Sequence, residues 1–169
     1  MALTLSGNSK LSFNISMESD NDSLSDGKFK TNTSFSTTWT DGATDDKIDY
    51  ILAEEYTIAA SGNQAIDLDN FTDPEGNTIT AATKVKEIII QAAETNTADN
   101  TITITGDFLD TEMTSGGTFS FAMDSEGGIF HFKSPKAGVS ITAITGDGIT
   151  ITNNDSGVSV TVTVYIIFI

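Results

Sequence analysis

The chain has 169 residues, and 38% of them are hydrophobic, which is enough to bury one domain-sized core with or without an arm. A net charge of −16, carried with eight lysines and no arginine, repels polyphosphate and anionic membrane surfaces and leaves no guanidinium forks for phosphate, which argues against a nucleic-acid partner. The absence of cysteine removes disulfides and thiolate chemistry from consideration.

In chain order, Leu3 and Leu5, then Leu11, Phe13, Ile15 and Met17, alternate with polar residues and predict two short strands joined by Ser6-Gly7-Asn8-Ser9. Glu18 to Gly27 is acidic and nearly free of apolar residues, so it reads as an exposed loop. Its aspartates do not fit a calcium loop, because Leu24 stands where a ligand is required if Asp22 is the first. Across Lys28 to Thr40, Phe29, Phe35 and Trp39 share one parity with threonines between them, predicting an amphipathic strand with its aromatics inward. Asp41 to Asp49 is a second acidic loop. Ile48 to Tyr56 is expected to hold a short helical turn, with Ile48, Ile51 and Leu52 on one side.

From Tyr56 onward the chain reads as a regular succession of short strands. Ser61-Gly62-Asn63 signals a hairpin, and Asp73-Pro74-Glu75-Gly76-Asn77 a tight turn in which proline fixes one dihedral and Gly or Asn accepts positive φ. The centre is Thr83 to Ala93. Ile88, Ile89 and Ile90 are consecutive and β-branched, so both faces of that strand need cover, as in an inner strand of a two-layer sandwich. Strict alternation puts Val85, Glu87 and Ile89 on one face and Lys86, Ile88 and Ile90 on the other, with the charged half at the sheet rim. Further strands are predicted at 101–105, 118–123, 128–132, 139–144, 149–152 and 158–169, with Gly-rich turns between them read as hairpins. Turn spacing near ten residues predicts an all-β antiparallel sandwich or jelly roll over 48–169, preceded by a β arm over 1–47.

The last strand places Val158, Val160, Val162, Val164 and Ile166 on one face, then closes on Ile166-Ile167-Phe168-Ile169 without alternation. Such an end must pack under another element or another subunit, which makes Ile166, Ile167, Phe168 and Ile169, together with Trp39, candidate interaction residues. No basic leader and no stretch of roughly 20 apolar residues is present, so no membrane partner is expected.

Chemistry is sparse. His131, the one histidine, lies between Phe130 and Phe132, and no Gly-x-Ser-x-Gly elbow accompanies it. It reads as a structural or surface histidine. Zinc needs more nitrogen or sulfur donors than the chain offers, and Gly146-Asp147-Gly148 lacks the Lys-Ser/Thr of a phosphate loop. No catalytic residue, metal or cofactor is therefore expected.

The order of several short pieces resembles a family of small structural proteins of tailed-bacteriophage virions. These are Ala65-Ile-Asp-Leu-Asp69, Phe71-Thr-Asp-Pro-Glu-Gly-Asn77, Val85-Lys-Glu-Ile-Ile-Ile90, Ser115-Gly-Gly-Thr-Phe119, Ala137-Gly-Val-Ser-Ile-Thr142, Gly146-Asp-Gly-Ile-Thr-Ile-Thr-Asn153 and Val162-Thr-Val-Tyr-Ile-Ile167. Where the family usually shows Pro-Gly-Gly, this chain has Ser115-Gly116-Gly117. The resemblance implies a non-enzymatic virion component on the outer capsid surface, a cement or decoration protein bound to the major capsid protein or other virion proteins. It also implies a homo-oligomer, with a trimer as the first expectation. A tail, neck or fibre-associated protein of the same particle is the alternative. From a different class, a carbohydrate-binding module using Trp39, Tyr50 and Tyr56 as a sugar platform also fits an acidic all-β chain.

Overall fold

The computed structural model describes residues 6–19, 27–42, 44, 47–114, 117–134, 136–143 and 145–169. The expected strand at Leu3 and Leu5, the calcium-loop question at Asp22 and the Ser115-Gly116 turn lie outside them. The described part is an all-β structure of antiparallel sheets with one short helix.

The N-terminal region is a β-ribbon. Strands β1 (Gly7–Ser19) and β2 (Gly27–Asp41) pair antiparallel over their whole length, from Gly7 opposite Trp39 to Ser19 opposite Gly27. The expected turn at Ser6 to Ser9 is not formed, because Gly7, Asn8 and Ser9 are already strand, matched to Trp39, Thr38 and Thr37. Strand β3 (Lys47–Ile48) adds to β2 in parallel at the ribbon's root.

The sandwich follows as β4 (Tyr50–Ile58), β5 (Asn63–Asp67), β6 (Phe71–Thr72), β7 (Thr78–Ile79), β8 (Lys84–Ala92), β9 (Thr101–Thr105), α1 (Asp107–Thr114), β10 (Phe121–Asp124), β11 (Ile129–Lys133), β12 (Val139–Ser140), β13 (Gly148–Asn153) and β14 (Val160–Phe168). One sheet has the order β11-β8-β14-β4, with β12 also pairing β8; the other has the order β10-β9-β13-β5. Between them lies a single core to which both contribute, including Ile88, Ile90, Val162, Val164 and Ile166 from one sheet and Ile102, Ile104, Ile149 and Ile151 from the other, all 0% exposed. Each such side chain contributes roughly 1.5–3 kcal/mol by leaving water.

Two expectations about secondary structure are corrected. Residues 50–58 are strand, not helical turn: β4 pairs β14 from Tyr50 opposite Phe168 to Ile58 opposite Val160. The sequence misleads because Tyr50, Leu52, Tyr56 and Ile58 keep a period of two while Ile51 fills the opposite face. The unexpected helix is α1, which spends Phe108 and Leu109 on the core. It is seated by Asp107, whose Oδ1 accepts the N–H groups of Phe108 (2.9 Å) and Gly148 (2.7 Å). Gly106 before it has φ 138°, and a Cβ there would meet the carbonyl oxygen of Gly148 at 2.2 Å, so only glycine fits.

The turns read as hairpins mostly carry the chain from one sheet to the other. Ser61-Gly62 links β4 to β5, Gly127-Gly128 links β10 to β11, and 154–159 links β13 to β14, each a change of sheet. Side-chain amides pin these crossings. The Asn153 Nδ2 donates to the carbonyls of Ala59 (3.0 Å) and Val158 (2.8 Å), and its Oδ1 accepts from the Asp155 N–H. Buried Asn96 bridges Ser125 and Thr161 in the same way. The β6–β7 hairpin forms as predicted, with Asp73 accepting from Glu75 and Asn77 and Gly76 at φ 87°.

The central strand holds its place between β11 and β14, but not with the expected faces. Ile167 pairs with Glu87 and Phe168 with Val85, so Lys86 is an extra residue, a β-bulge. The bulge breaks the alternation and turns Val85 to the core beside Ile88 and Ile90. Nor is the charged half at a rim: Lys86 is 0% and Glu87 1% exposed. The Lys86 ammonium donates to the Lys136 carbonyl, and Glu87 is partnered by His131 and Lys133 of β11.

Candidate functional site

The candidate interaction residues fall in two places. Ile166 and Phe168 are fully buried in the chain's own core, where the Phe168 ring stacks on Phe71 at 4.4 Å. Ile167 is half-buried on the outer side of that sheet, next to Glu87 and Ile51. Ile169 is held by backbone bonds in both directions with Lys84, and its carbonyl also accepts from the N–H and hydroxyl of Thr83. The apolar end therefore packs under another element of the same chain.

Trp39 is the exception to a single core. It is 1% exposed, as is Ile48, yet both lie apart from the residues between the sheets. The ring sits over the outer face of the five-stranded sheet, with the Lys133 ammonium 5.7 Å from its centroid. Lys133 reaches the Glu87 carboxylate at 3.5 Å, and the His131 Nε2 lies 2.7 Å from the same oxygen. Glu87 of β8 and His131 and Lys133 of the neighbouring β11 thus build a polar cluster whose lysine meets the indole. His131 is bound to this cluster and is 21% exposed; the geometry gives it a structural role in holding a buried carboxylate. Sequence reasoning picked out the histidine but not Glu87, which lies 44 residues away and meets it only through the β8–β11 register.

The two open edges of the sandwich differ. At the β10–β11 edge, aromatic rings close the gap: Phe119 and Phe121 stand 6.1 and 5.3 Å from buried Phe130. At the β4–β5 edge a cleft of about 440 Å³ remains, lined by Leu52, Glu54, Tyr56, Asp67, Asn70 and Phe71 among others. Burial raises the Tyr56 phenol above its ordinary pKa, and the charge on Glu54 adds to this. Nearby, carboxylate oxygens of Asp67, Asp69 and Asp147 lie within 4.8 Å of one another. The hydrogen bond to Asp67 is the main cause holding the Asp69 carboxyl above the usual range. Asp67 also accepts from the N–H groups of Asp69 and Asn70, both at 3.1 Å. Glu54 and Glu55 occupy successive positions of one strand and so face opposite sides of the sheet.

Tyr50, Tyr56 and Trp39 do not form one platform. Trp39 is buried at the ribbon's root, while Tyr56 lines the cleft and Tyr50 packs against the core. The ribbon forms a sheet of its own: among the described residues, its strands pair only with each other and with β3. Among those residues, no helix is long and apolar enough to cross a membrane. Compared with known proteins, the chain matches no family model and no curated protein.

Proposed function

We propose that the chain is a structural component of a tailed-bacteriophage virion, a capsid cement or decoration protein that braces the outer shell through contacts with the major capsid protein. The observation that carries this reading is a long β-ribbon rooted by Trp39 on an acidic sandwich. A sandwich with a strand-bearing arm suits an assembly component, since the outer edge of β1, which no other described strand pairs, is a docking element. The acidic surface favours a position away from packaged DNA. The strand order supports the jelly-roll reading: strands β4, β5, β8, β9, β10, β11, β13 and β14 divide into two four-stranded layers with β14 between β4 and β8. That architecture serves viral capsid and lectin domains alike, so it supports the class by analogy. The resemblance in motif order points to the same particle.

The test is binding of the purified chain to mature capsids of a tailed phage. Co-sedimentation and a raised disruption temperature are expected, and both should be lost when residues 7–38 are deleted. Binding to isolated tails and not to heads moves the protein to the tail or neck. A second reading, a carbohydrate-binding module, draws on the cleft that Tyr56 and its neighbouring carboxylates line. Glycan-array binding lost on Tyr56→Ala, without capsid affinity, would establish that reading instead.

A further inference from the structure

The cleft at the β4–β5 side lies between two strand edges, and their backbone bonding can be followed residue by residue. The Thr161 carbonyl accepts from the Ala93 N–H, so the odd-numbered residues of β14 bond to β8 and the even-numbered ones to β4. On β4 the partners of those even residues are Tyr50, Leu52, Glu54, Tyr56 and Ile58. Ile51, Ala53, Glu55 and Thr57 therefore turn their N–H and C=O groups to the outer edge, where no described strand pairs them. On β5 the Leu68 N–H donates to the Asp147 carbonyl, which by the same alternation turns Asn63, Ala65 and Asp67 outward. That edge is shorter, five residues against nine, and the Gln64 amide already occupies the Ala65 carbonyl. Of the two, β4 is the edge that can take another strand.

The side chains beside that edge say what the strand must carry. Leu52 and Ile58 are buried and Tyr56 packs on the core, so alternation puts Glu54 on the same inward face. Glu54 lines the cleft with exposed Asp67, while buried Leu52 and Phe71 supply its apolar part. An inward-pointing charge on an edge strand bars a partner that lays an apolar or acidic side chain against it, and admits one that brings a cation. We infer that β4 accepts an extended segment of another protein as an added strand, with apolar side chains against Leu52 and Tyr56 and, between them, a lysine or arginine at Glu54 and Asp67. The cleft of about 440 Å³ is of the size that holds such groups, within the ~300–1,000 Å³ of ligand sites. A second copy does not supply the segment: none of the eight lysines has apolar residues both two positions before and two positions after it, and there is no arginine. The net charge of −16 draws a basic segment in from a distance. The inference goes beyond the capsid reading and does not rest on it.

The experiment is calorimetric titration of the full chain with a capped heptapeptide, Thr-Val-Thr-Lys-Thr-Val-Thr, and with the same peptide carrying glutamate in place of lysine. The lysine peptide should bind with a Kd below about 1 mM, and the glutamate peptide should give no binding heat. Glu54→Gln should weaken the lysine peptide about tenfold. Glu112→Gln, which removes an exposed carboxylate of α1 outside the cleft, should leave it unchanged. Ala53→Pro takes away one outward N–H at an edge position where proline is tolerated, and should abolish binding. If that variant does not fold, N-methylation of alternate peptide residues gives the same reading, since one of the two sets must destroy binding. No binding of the lysine peptide, equal binding of the two peptides, indifference to Glu54→Gln, or survival of both methylated sets overturns the inference. Glycan binding lost on Tyr56→Ala, in a chain that does not bind the lysine peptide, gives the cleft to sugar and overturns it too. A chain that takes the peptide and ignores capsids upholds the inference and ends the capsid proposal alone.

Discussion

The ribbon and the sandwich are both antiparallel sheet, yet they use opposite means of staying folded. In the sandwich every inner strand has two strand neighbours and a facing layer, and the core residues of β8, β9, β13 and β14 leave almost nothing to solvent. In the ribbon, β1 pairs only β2, and β2 adds only the two-residue β3 at the root, among the described residues. Trp39 is where the two regimes meet: it belongs to the ribbon by chain and to the sandwich by burial. The lesson is that strand pairing alone does not make a stable sheet. A second layer does, and Trp39 finds one at the ribbon's root.

The strongest way to break the contrast is to hollow the sandwich. Phe168→Ala removes a fully buried ring and its stack on Phe71. It should cost about 3–5 kcal/mol, read as a lower urea midpoint, while ribbon substitutions such as Ser12→Lys leave that midpoint where it was. An equal response from both would end the distinction. Trp39→Ala comes next. It removes a fully buried indole and its contact with Lys133 and should cost about 3 kcal/mol, and limited proteolysis should show the ribbon cleaved before the sandwich. A proteolysis pattern identical to wild type would show that the indole does not anchor the ribbon.

The smallest effect concerns a turn of the sandwich. The backbone N–H groups of Gly157 and then Val158 hold the Asp155 carboxyl below the usual carboxylate range. Its folded pKa is lowered, so its contribution to stability is present above the unfolded value of about 3.9 and disappears as pH falls through the folded one. Asp155→Asn should therefore lower the urea midpoint slightly at pH 7 and flatten its dependence on pH below about 4, so that variant and wild type converge in acid. Parallel curves for variant and wild type would refute that assignment.

Much of the fold was legible in local pattern. The isoleucine run at 88–90 announces a strand buried on both faces, and it lies between two neighbours in the five-stranded sheet. Apart from the one at Ser6 to Ser9, which is strand from Gly7 on, the turn signals at Ser61-Gly62, Asp73 to Asn77 and Gly127-Gly128 were sound about where the chain bends. They were silent about which sheet it enters afterwards, and Ser61-Gly62 was misread as a hairpin for that reason. A hairpin is closed by local bonds; this crossing is fixed by Asn153, more than ninety residues further on. The same distance hid the cluster under Trp39, since nothing near His131 in sequence indicates Glu87. The bulge at Lys86 was also illegible, because it depends on the partner strand's register. The helix at 107–114 was missed because threonines and aspartates with only two core-facing residues carry a weak periodic signal.

The position of β14 has a kinetic consequence. It fills the slot between β4 and β8, although Phe168 and its partner Tyr50 are separated by most of the sandwich's chain length. Contacts of such long separation slow folding to the millisecond-to-second range typical of all-β domains. Until that insertion occurs, two unsatisfied strand edges flank an open slot, and a synthetic peptide of residues 160–169 added during refolding should compete for it.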